Sequence, residues 1–133
     1  MPVLGAALML VIAACGSGAR GVPDRFSGTW KLLDGRTIPI QRVSAADGRR
    51  AMRALHAAPC GGRAVYFRAT YFGGVAHMAA CAKGDGRVAR GRFDDNGITG
   101  TIVQRLTAPK RFVAVVHGDG HAPFRITATR VSG

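Results

Sequence analysis

The chain has 133 residues and a net charge of +12, because 19 Lys and Arg stand against seven acidic residues, all of them Asp. This length suits one domain rather than two. The positive charge favours anionic partners such as lipid headgroups, lipopolysaccharide phosphates or acidic polymers. Arg far outnumbers Lys, and Ala and Gly are abundant, so a compositional bias of a GC-rich coding sequence is the alternative explanation of the charge.

The N-terminal region has the character of an export signal. Residues 3–14 are apolar or small, and the first charged residue is Arg20. A helix over this run would be about 18 Å long, well short of the roughly 30 Å hydrocarbon core of a bilayer. The length suits the apolar region of a signal peptide instead.

The apolar run ends in the sequence LVIAAC, in which the cysteine is Cys15. This ending resembles the lipobox of bacterial lipoproteins. The resemblance implies cleavage before Cys15, lipidation of its thiol, and a membrane partner held through the lipid anchor. Ser17, in place of an Asp after the lipidated cysteine, is similar to lipoproteins sorted to the outer membrane, where the domain would face the periplasm. An ordinary secretory peptide with a chance cysteine is the alternative.

Three regions follow from these features. We predict a signal peptide over residues 1–14, a lipidated N-terminus and flexible tether over residues 15–25, and a β-rich envelope domain over residues 26–133. Removal of the signal peptide takes away no charged residue. Nucleic acid is not an expected partner, because export separates the protein from it and no stacking motif of aromatic and basic residues is present.

With Cys15 assigned to lipid, Cys60 and Cys81 remain. An even pair of cysteines in an oxidising compartment predicts a disulfide. Two free thiols or a pair of metal ligands are the alternatives. Neither cysteine belongs to a closely spaced Cys-Cys pair of the kind that is typical of structural zinc sites.

From Phe26 onward, short β-type runs are separated by Gly, Asp and Pro, which is typical of antiparallel β domains. We predict a mainly β fold, a small antiparallel β-barrel or sandwich of about eight strands with one short helix between strands 2 and 3. The helix is predicted over residues 44–58, where Ser44 can cap its start and Pro59 stops it. The predicted strands lie near 28–33, 37–43, 63–72, 75–83, 87–94, 98–106, 111–117 and 124–131.

Two dipeptides that favour turns with positive φ, Gly73-Gly74 and Asn96-Gly97, predict hairpins and fix their registers. Each hairpin should have one buried and one wet face. The predicted inward residues are Val65, Phe67, Ala69, Tyr71, Ala76, Met78, Ala80 and Ala82 in the first hairpin, and Ala89, Gly91, Phe93, Gly100, Ile102 and Leu106 in the second. Cys81 then faces outward, so a bond to Cys60 would attach the end of the helix to the outside of the sheet.

Gly28-Thr29-Trp30 resembles the Gly-x-Trp start of lipocalins and related small barrels. Nearly the whole mature domain resembles a family of small secreted proteobacterial proteins of unassigned function. Its members have a Gly-x-Trp strand, a short helix, a cysteine, two strands with a second cysteine, and a β-rich end with an Arg-Val-Gly-type tail. Lys31 stands where that family usually has Glu, and the extra cysteines of many members are missing. The resemblance implies an architecture and a destination, but no activity.

Catalytic groups are few. Most of the Asp residues lie beside Gly in apparent turns, and none of the four Ser has a nucleophile-elbow context. The sequence HGDGH at residues 117–121 could hold a divalent transition metal. We favour a polar turn with water-facing imidazoles, because Gly on both sides of Asp119 works against preorganisation. We therefore predict no enzyme, with no catalytic residue, metal or cofactor.

Two functions remain. The first, which the sequence favours, is a non-catalytic envelope module that binds an anionic component or a protein partner through a basic outer face. That face comprises Lys31, Arg68, Arg90, Arg92, Arg105 and Arg125. The second is a lipocalin-like barrel that binds a small apolar ligand, because the predicted interior is rich in Ala and Gly. A cavity of several hundred Å³ would favour the second function, and a solid core the first.

Overall fold

A computed structural model describes residues 21–71 and 74–132, which form one helix and eight strands in a closed antiparallel barrel. Each strand pairs with the next along the chain, and the last pairs with the first. The strands are β1 (Gly28–Leu32), β2 (Thr37–Val43), β3 (Val65–Tyr71), β4 (Ala76–Ala82), β5 (Val88–Asp95), β6 (Ile98–Ala108), β7 (Arg111–Gly118) and β8 (Phe124–Ser132), with helix α1 (Ala45–Ala54) between β2 and β3. The predicted fold is confirmed as a barrel rather than a sandwich. The predicted signal peptide and Cys15 lie outside the described residues.

The predicted hairpin registers are confirmed. Phe67 pairs with Ala80 between β3 and β4, and Asp95 pairs with Ile98 at the turn between β5 and β6. Asn96 has a φ of 52°, the left-handed value that this turn requires. The inward residues of both hairpins therefore face the barrel interior as the alternation indicated.

Helix α1 begins after Ser44, whose hydroxyl accepts a hydrogen bond from the Asp47 amide at 3.1 Å. It ends before residue 58, the predicted limit, because His56 takes a left-handed φ of 62°. The amides of His56 and Ala57 then donate to the carbonyls of Arg53 and Met52, which caps the helix with a Schellman motif. In the described part of the chain, no helix has the length and apolar character to cross a membrane.

The helix packs against the outside of β3 and β4. Met52 is buried there against Tyr66 and Cys81, so the outer face of the first hairpin is covered at these positions rather than wet. Gly48 permits this approach, since a Cβ atom at that position would lie 2.2 Å from Cβ of Tyr66. The predicted Cys60–Cys81 disulfide is present, with an S–S distance of 2.09 Å, and it attaches the segment after the helix to β4.

One end of the barrel is closed by the segment that precedes β1. Phe26 is fully buried inside this end, with its ring centroid 5.8 Å from that of Phe67 and 5.7 Å from that of Phe112. The indole nitrogen of Trp30 donates to the Phe26 carbonyl at 2.7 Å. An aromatic cluster therefore fills this closed end, formed by Phe26, Trp30, Phe67 and Phe112. The opposite, open end lies where β1, β3, β5 and β7 end.

Candidate functional site

The barrel interior is hollow on the side of the open end. A cavity of about 480 Å³ begins above the aromatic cluster and opens at the open end of the barrel. This volume falls within the roughly 300–1,000 Å³ that is usual for small-molecule sites. Most of the cavity wall is apolar, formed by Leu32, Ile38, Ala69, Met78, Phe93, Ile102, Phe112, Ala114, Val116 and Ile126.

The small interior residues have two different roles. Ala69 and Ala114 line the cavity, where their short side chains leave space. Gly91 and Gly100 instead allow neighbouring strands to approach closely. A Cβ atom at Gly91 would lie 1.9 Å from the Ala79 carbonyl oxygen, and one at Gly100 would lie 2.2 Å from the His117 carbonyl oxygen. The light interior predicted from the sequence therefore reflects both a cavity and close contact between strands.

Gln104 is the polar side chain of the cavity wall that is most deeply buried, with 3% of its surface exposed. Its strand neighbours on either side are Ala89 and Ala114, which offer no polar side-chain group. Its Oε1 atom has no hydrogen-bond partner among the described residues. An unsatisfied buried acceptor costs about 1–3 kcal/mol. The predicted interior omitted Gln104, although its place between Ile102 and Leu106 on β6 gives it an inward register.

The mouth of the cavity carries polar and charged groups. Burial raises the pKa of the Tyr71 phenol to about 12, and the negative charge of Asp95 acts in the same direction, so Tyr71 is protonated at neutral pH. The hydrogen bonds from Arg36 lower the pKa of Asp34, and their charged groups lie 2.6 Å apart. Charge at the mouth is therefore partly neutralised by a local ion pair.

Apolar side chains are exposed beside these polar groups. Leu33, in the turn after β1, is 87% exposed, and Phe124, at the start of β8, is 55% exposed. Both residues line the cavity at its mouth. The apolar surface of the interior thus continues outward onto the rim.

The six predicted basic residues lie on the barrel exterior, on β1, β3, β5, β6 and β8. Arg90 and Arg105 are diagonal neighbours across β5 and β6, because Arg90 pairs with Val103 and Arg105 pairs with Val88. Lys31, Arg68 and Arg125 are exposed on other strands. The structure therefore brings together the arginines of β5 and β6 and distributes the other members around the barrel.

Arg92, on β5, has a structural role. Its side chain is 20% exposed, donates to the Leu55 carbonyl at 2.9 Å and contacts the Asp119 carboxylate at 2.6 Å. It thereby links the end of α1 to the turn between β7 and β8.

Asp119, the central residue of the HGDGH sequence, is held by hydroxyl and guanidinium donors. Thr99 donates to its carboxylate at 2.7 Å, and the hydrogen bonds from Thr99 and Arg92 lower its pKa. Within residues 21–71 and 74–132, no three His, Cys or Asp side chains cluster in a way that could hold a metal ion.

Exposed charge differs between the two ends of the barrel. The exposed cations at the closed end, as far as the chain is described, are Arg42, Arg63, Lys83, Arg87, Lys110 and Arg111, against the carboxylates of Asp24 and Asp85. Around the open end, Arg36, Arg92 and Arg125 stand against Asp34, Asp94, Asp95 and Asp119. The closed end is therefore strongly cationic, and the open end carries a slight excess of negative charge.

A hollow apolar interior, a polar mouth and a cationic closed end are the features that a function must explain. Comparisons with protein-family models, with curated proteins and with solved structures find no match.

Proposed function

We propose that this protein is a non-catalytic binding protein that holds a small, mostly apolar molecule inside its barrel. The observation that carries this proposal is the cavity of about 480 Å³ with its largely hydrocarbon wall. Liquid water in that volume would amount to about 16 molecules at roughly 30 Å³ each. Few of them would find polar partners on this wall, so an apolar ligand that replaces them gains roughly 25 cal/mol per Å² of buried apolar surface.

The exposed apolar side chains at the mouth also favour an apolar ligand. Leu33 and Phe124 line the mouth and are open to solvent, so a ligand that extends out of the cavity would cover apolar surface there. The charged groups of Arg36 and Asp95 lie at the same mouth. A polar end of the ligand would therefore remain at the opening while its apolar part enters the barrel.

A cavity-filling substitution tests this proposal. The neutral fluorescent probe N-phenyl-1-naphthylamine should bind the full-length protein with enhanced emission. Ala114→Phe places a large ring in the cavity and should weaken binding at least tenfold. Val115→Phe is the matched control, since its side chain lies next along β7 but on the outer face. Absence of binding to the wild type, or equal binding by the two variants, would contradict the proposal.

The natural ligand can be sought directly. Native mass spectrometry of protein purified from its source cells, before and after extraction with organic solvent, should show a recurrent apolar molecule at about one copy per chain. The Ala114→Phe variant purified in the same way should lack it, whereas Val115→Phe should retain it. Random co-purification would instead give both variants the same bound molecules.

The charge asymmetry favours a second, compatible function. We propose that the cationic closed end contacts anionic lipid headgroups of the cell envelope. The N-terminal segment meets the barrel at this end through Phe26. If Cys15 carries lipid, as the sequence predicts, the anchor and the cationic end would face the same membrane, and the cavity would open away from it. The predicted outer-membrane location, with the domain in the periplasm, is part of this proposal.

Vesicle sedimentation distinguishes lipid binding by the closed end from lipid binding by the barrel wall. Each Lys or Arg near an anionic surface contributes about 1 kcal/mol, so Lys83→Gln with Lys110→Gln should weaken binding to phosphatidylglycerol-containing vesicles about 30-fold. The control is Lys31→Gln with Arg68→Gln, which removes the same charge from the barrel wall and should have a smaller effect. A larger effect of the control would instead assign binding to the predicted basic outer face. Equal binding to neutral phosphatidylcholine vesicles would exclude both surfaces.

A further inference from the structure

Gln104 lies at the floor of the cavity. On β6 the next inward residue toward the closed end is Leu106, which pairs with Phe112 of the aromatic cluster. In the other direction, Ile98 begins β6 at the mouth, about 20 Å along the strand at roughly 3.3 Å per residue. The carboxamide therefore meets whatever part of a ligand enters the barrel first.

The surroundings of Gln104 offer its Oε1 atom nothing to bind. Ala89 and Ala114 flank it on the neighbouring strands, and this buried oxygen has no partner among the residues that the structure describes. A buried acceptor of this kind calls for a hydrogen-bond donor. The Gln104 side chain lines the free cavity, and rotation about the last torsion of its side chain, which is broad for Gln, would turn Oε1 toward a donor that enters there.

We infer that Gln104 anchors the ligand through a hydrogen bond, so that the ligand is an apolar molecule whose inserted end carries a neutral donor, such as a hydroxyl or an amide N–H. This inference rests on the proposed binding function. An ammonium group at the same place is disfavoured, because it has three donors to satisfy and a charge to bury among apolar side chains.

The position of the other polar groups completes the description of the ligand. Tyr71, Asp95 and Arg36 lie at the mouth, so polar or charged groups are accommodated there. Between mouth and floor the wall is mainly hydrocarbon, from residues such as Ile102 and Val116. The expected ligand thus has one neutral donor at its inner end, an apolar body, and an outer end on which the protein places few restrictions.

A pair of matched probes tests the hydrogen bond. Binding of 2-naphthol and 2-methylnaphthalene to the full-length protein can be followed by fluorescence, in the wild type and in Gln104→Met. A net hydrogen bond of ordinary strength corresponds to about a 5–10-fold change in affinity. We expect Gln104→Met to weaken the binding of 2-naphthol by this factor. The binding of 2-methylnaphthalene should be unchanged or tighter. The ratio of the two affinities is compared between wild type and Gln104→Met, so that the effect of the probes' different solubilities cancels.

Two further measurements sharpen the result. The probe 2-methoxynaphthalene has an acceptor but no donor, so it should behave as 2-methylnaphthalene does. Gln104→Leu should repeat the effect of Gln104→Met if loss of the amide, rather than a local change of shape, is responsible. If both probes bind but their affinity ratio is the same in wild type and variants, the anchoring role of Gln104 is excluded while the binding function stands. If neither probe binds the wild type, both are excluded.

Discussion

The guanidinium of Arg130, on the last strand, lies over the indole ring of Trp30, on the first strand, with its central carbon 4.3 Å from the ring centroid. It also donates hydrogen bonds to the carbonyls of Ser27 and Arg25 in the segment before β1. Arg130 thus joins the two ends of the described chain where the barrel closes. The contacts combine a cation–π interaction with two charge-assisted hydrogen bonds in a half-buried site.

Arg130→Met should lower the free energy of unfolding by about 2–3 kcal/mol, because it removes these contacts and leaves two carbonyl groups without their donor. Urea denaturation measures the change. The control is Arg125→Met on the same strand, where the side chain is exposed, with an expected change within about 0.5 kcal/mol. Equal effects of the two substitutions would mean that Arg130 contributes only surface charge.

The barrel could be predicted from the sequence because its signals are local. Alternation between apolar and polar residues, together with the Asn96-Gly97 turn, sets the strand registers. Closure of the barrel through pairing of β1 with β8 is a contact between distant segments, and the alternation pattern is the same in a sandwich. The end of α1 at Ala54 was missed because it depends on a left-handed conformation at His56, which is uncommon for a residue other than Gly.

The cavity was predicted only as an alternative, since small interior residues also occur where strands approach closely. Gly91 and Gly100 allow neighbouring strands to approach closely, whereas Ala69 and Ala114 line the cavity. The residue types alone do not distinguish these two roles. Gln104 was missed because a polar residue is not expected in an apolar interior, although its register is inward. A polar residue at a predicted inward position is itself a useful signal of a site.

Loss of the Cys60–Cys81 disulfide should destabilise the protein. The two cysteines are 21 residues apart, and closing a loop of this size lowers the entropy of the unfolded chain by an amount worth about 3 kcal/mol. Urea unfolding of the wild type with and without reductant measures this difference. The Cys60→Ala, Cys81→Ala double variant should match the reduced wild type and should not respond to reductant. Unchanged stability on reduction would show that α1 packing alone holds this region.

Gly91→Ala and Gly100→Ala should each destabilise the barrel by more than about 2 kcal/mol. The new methyl group would overlap a backbone carbonyl oxygen of the adjacent strand, and backbone in a paired strand cannot move away without losing hydrogen bonds. Thermal and urea unfolding provide the measurement. Gly61→Ala is the control, because a Cβ atom there has no neighbour within 4 Å. Normal stability of the two strand variants would mean that β4 and β7 adjust freely.

Stability should fall as the pH rises from about 10 to 12. The pKa of Tyr71 is raised to about 12 in the folded protein, from 10.0 for an unperturbed phenol. In that interval the unfolded chain releases this proton and the folded chain keeps it, which favours unfolding. The difference in absorbance at 295 nm between wild type and Tyr71→Phe should show a transition near pH 12. A transition near pH 10 in the folded protein would show that the phenol is fully hydrated.

Gln104→Met should make the ligand-free protein more stable by about 1–2 kcal/mol. The substitution replaces a buried amide, whose Oε1 atom has no partner among the described residues, with an apolar side chain of similar size, so the cost of the lone acceptor disappears. Gln41, which is exposed on β2, provides the matched control, and Gln41→Met should change stability by less than about 0.5 kcal/mol. Urea unfolding of extracted, ligand-free protein measures both. Destabilisation by Gln104→Met would mean that the amide supports the barrel itself. Stabilisation combined with weaker 2-naphthol binding would show a residue that favours ligand binding at the expense of the empty fold.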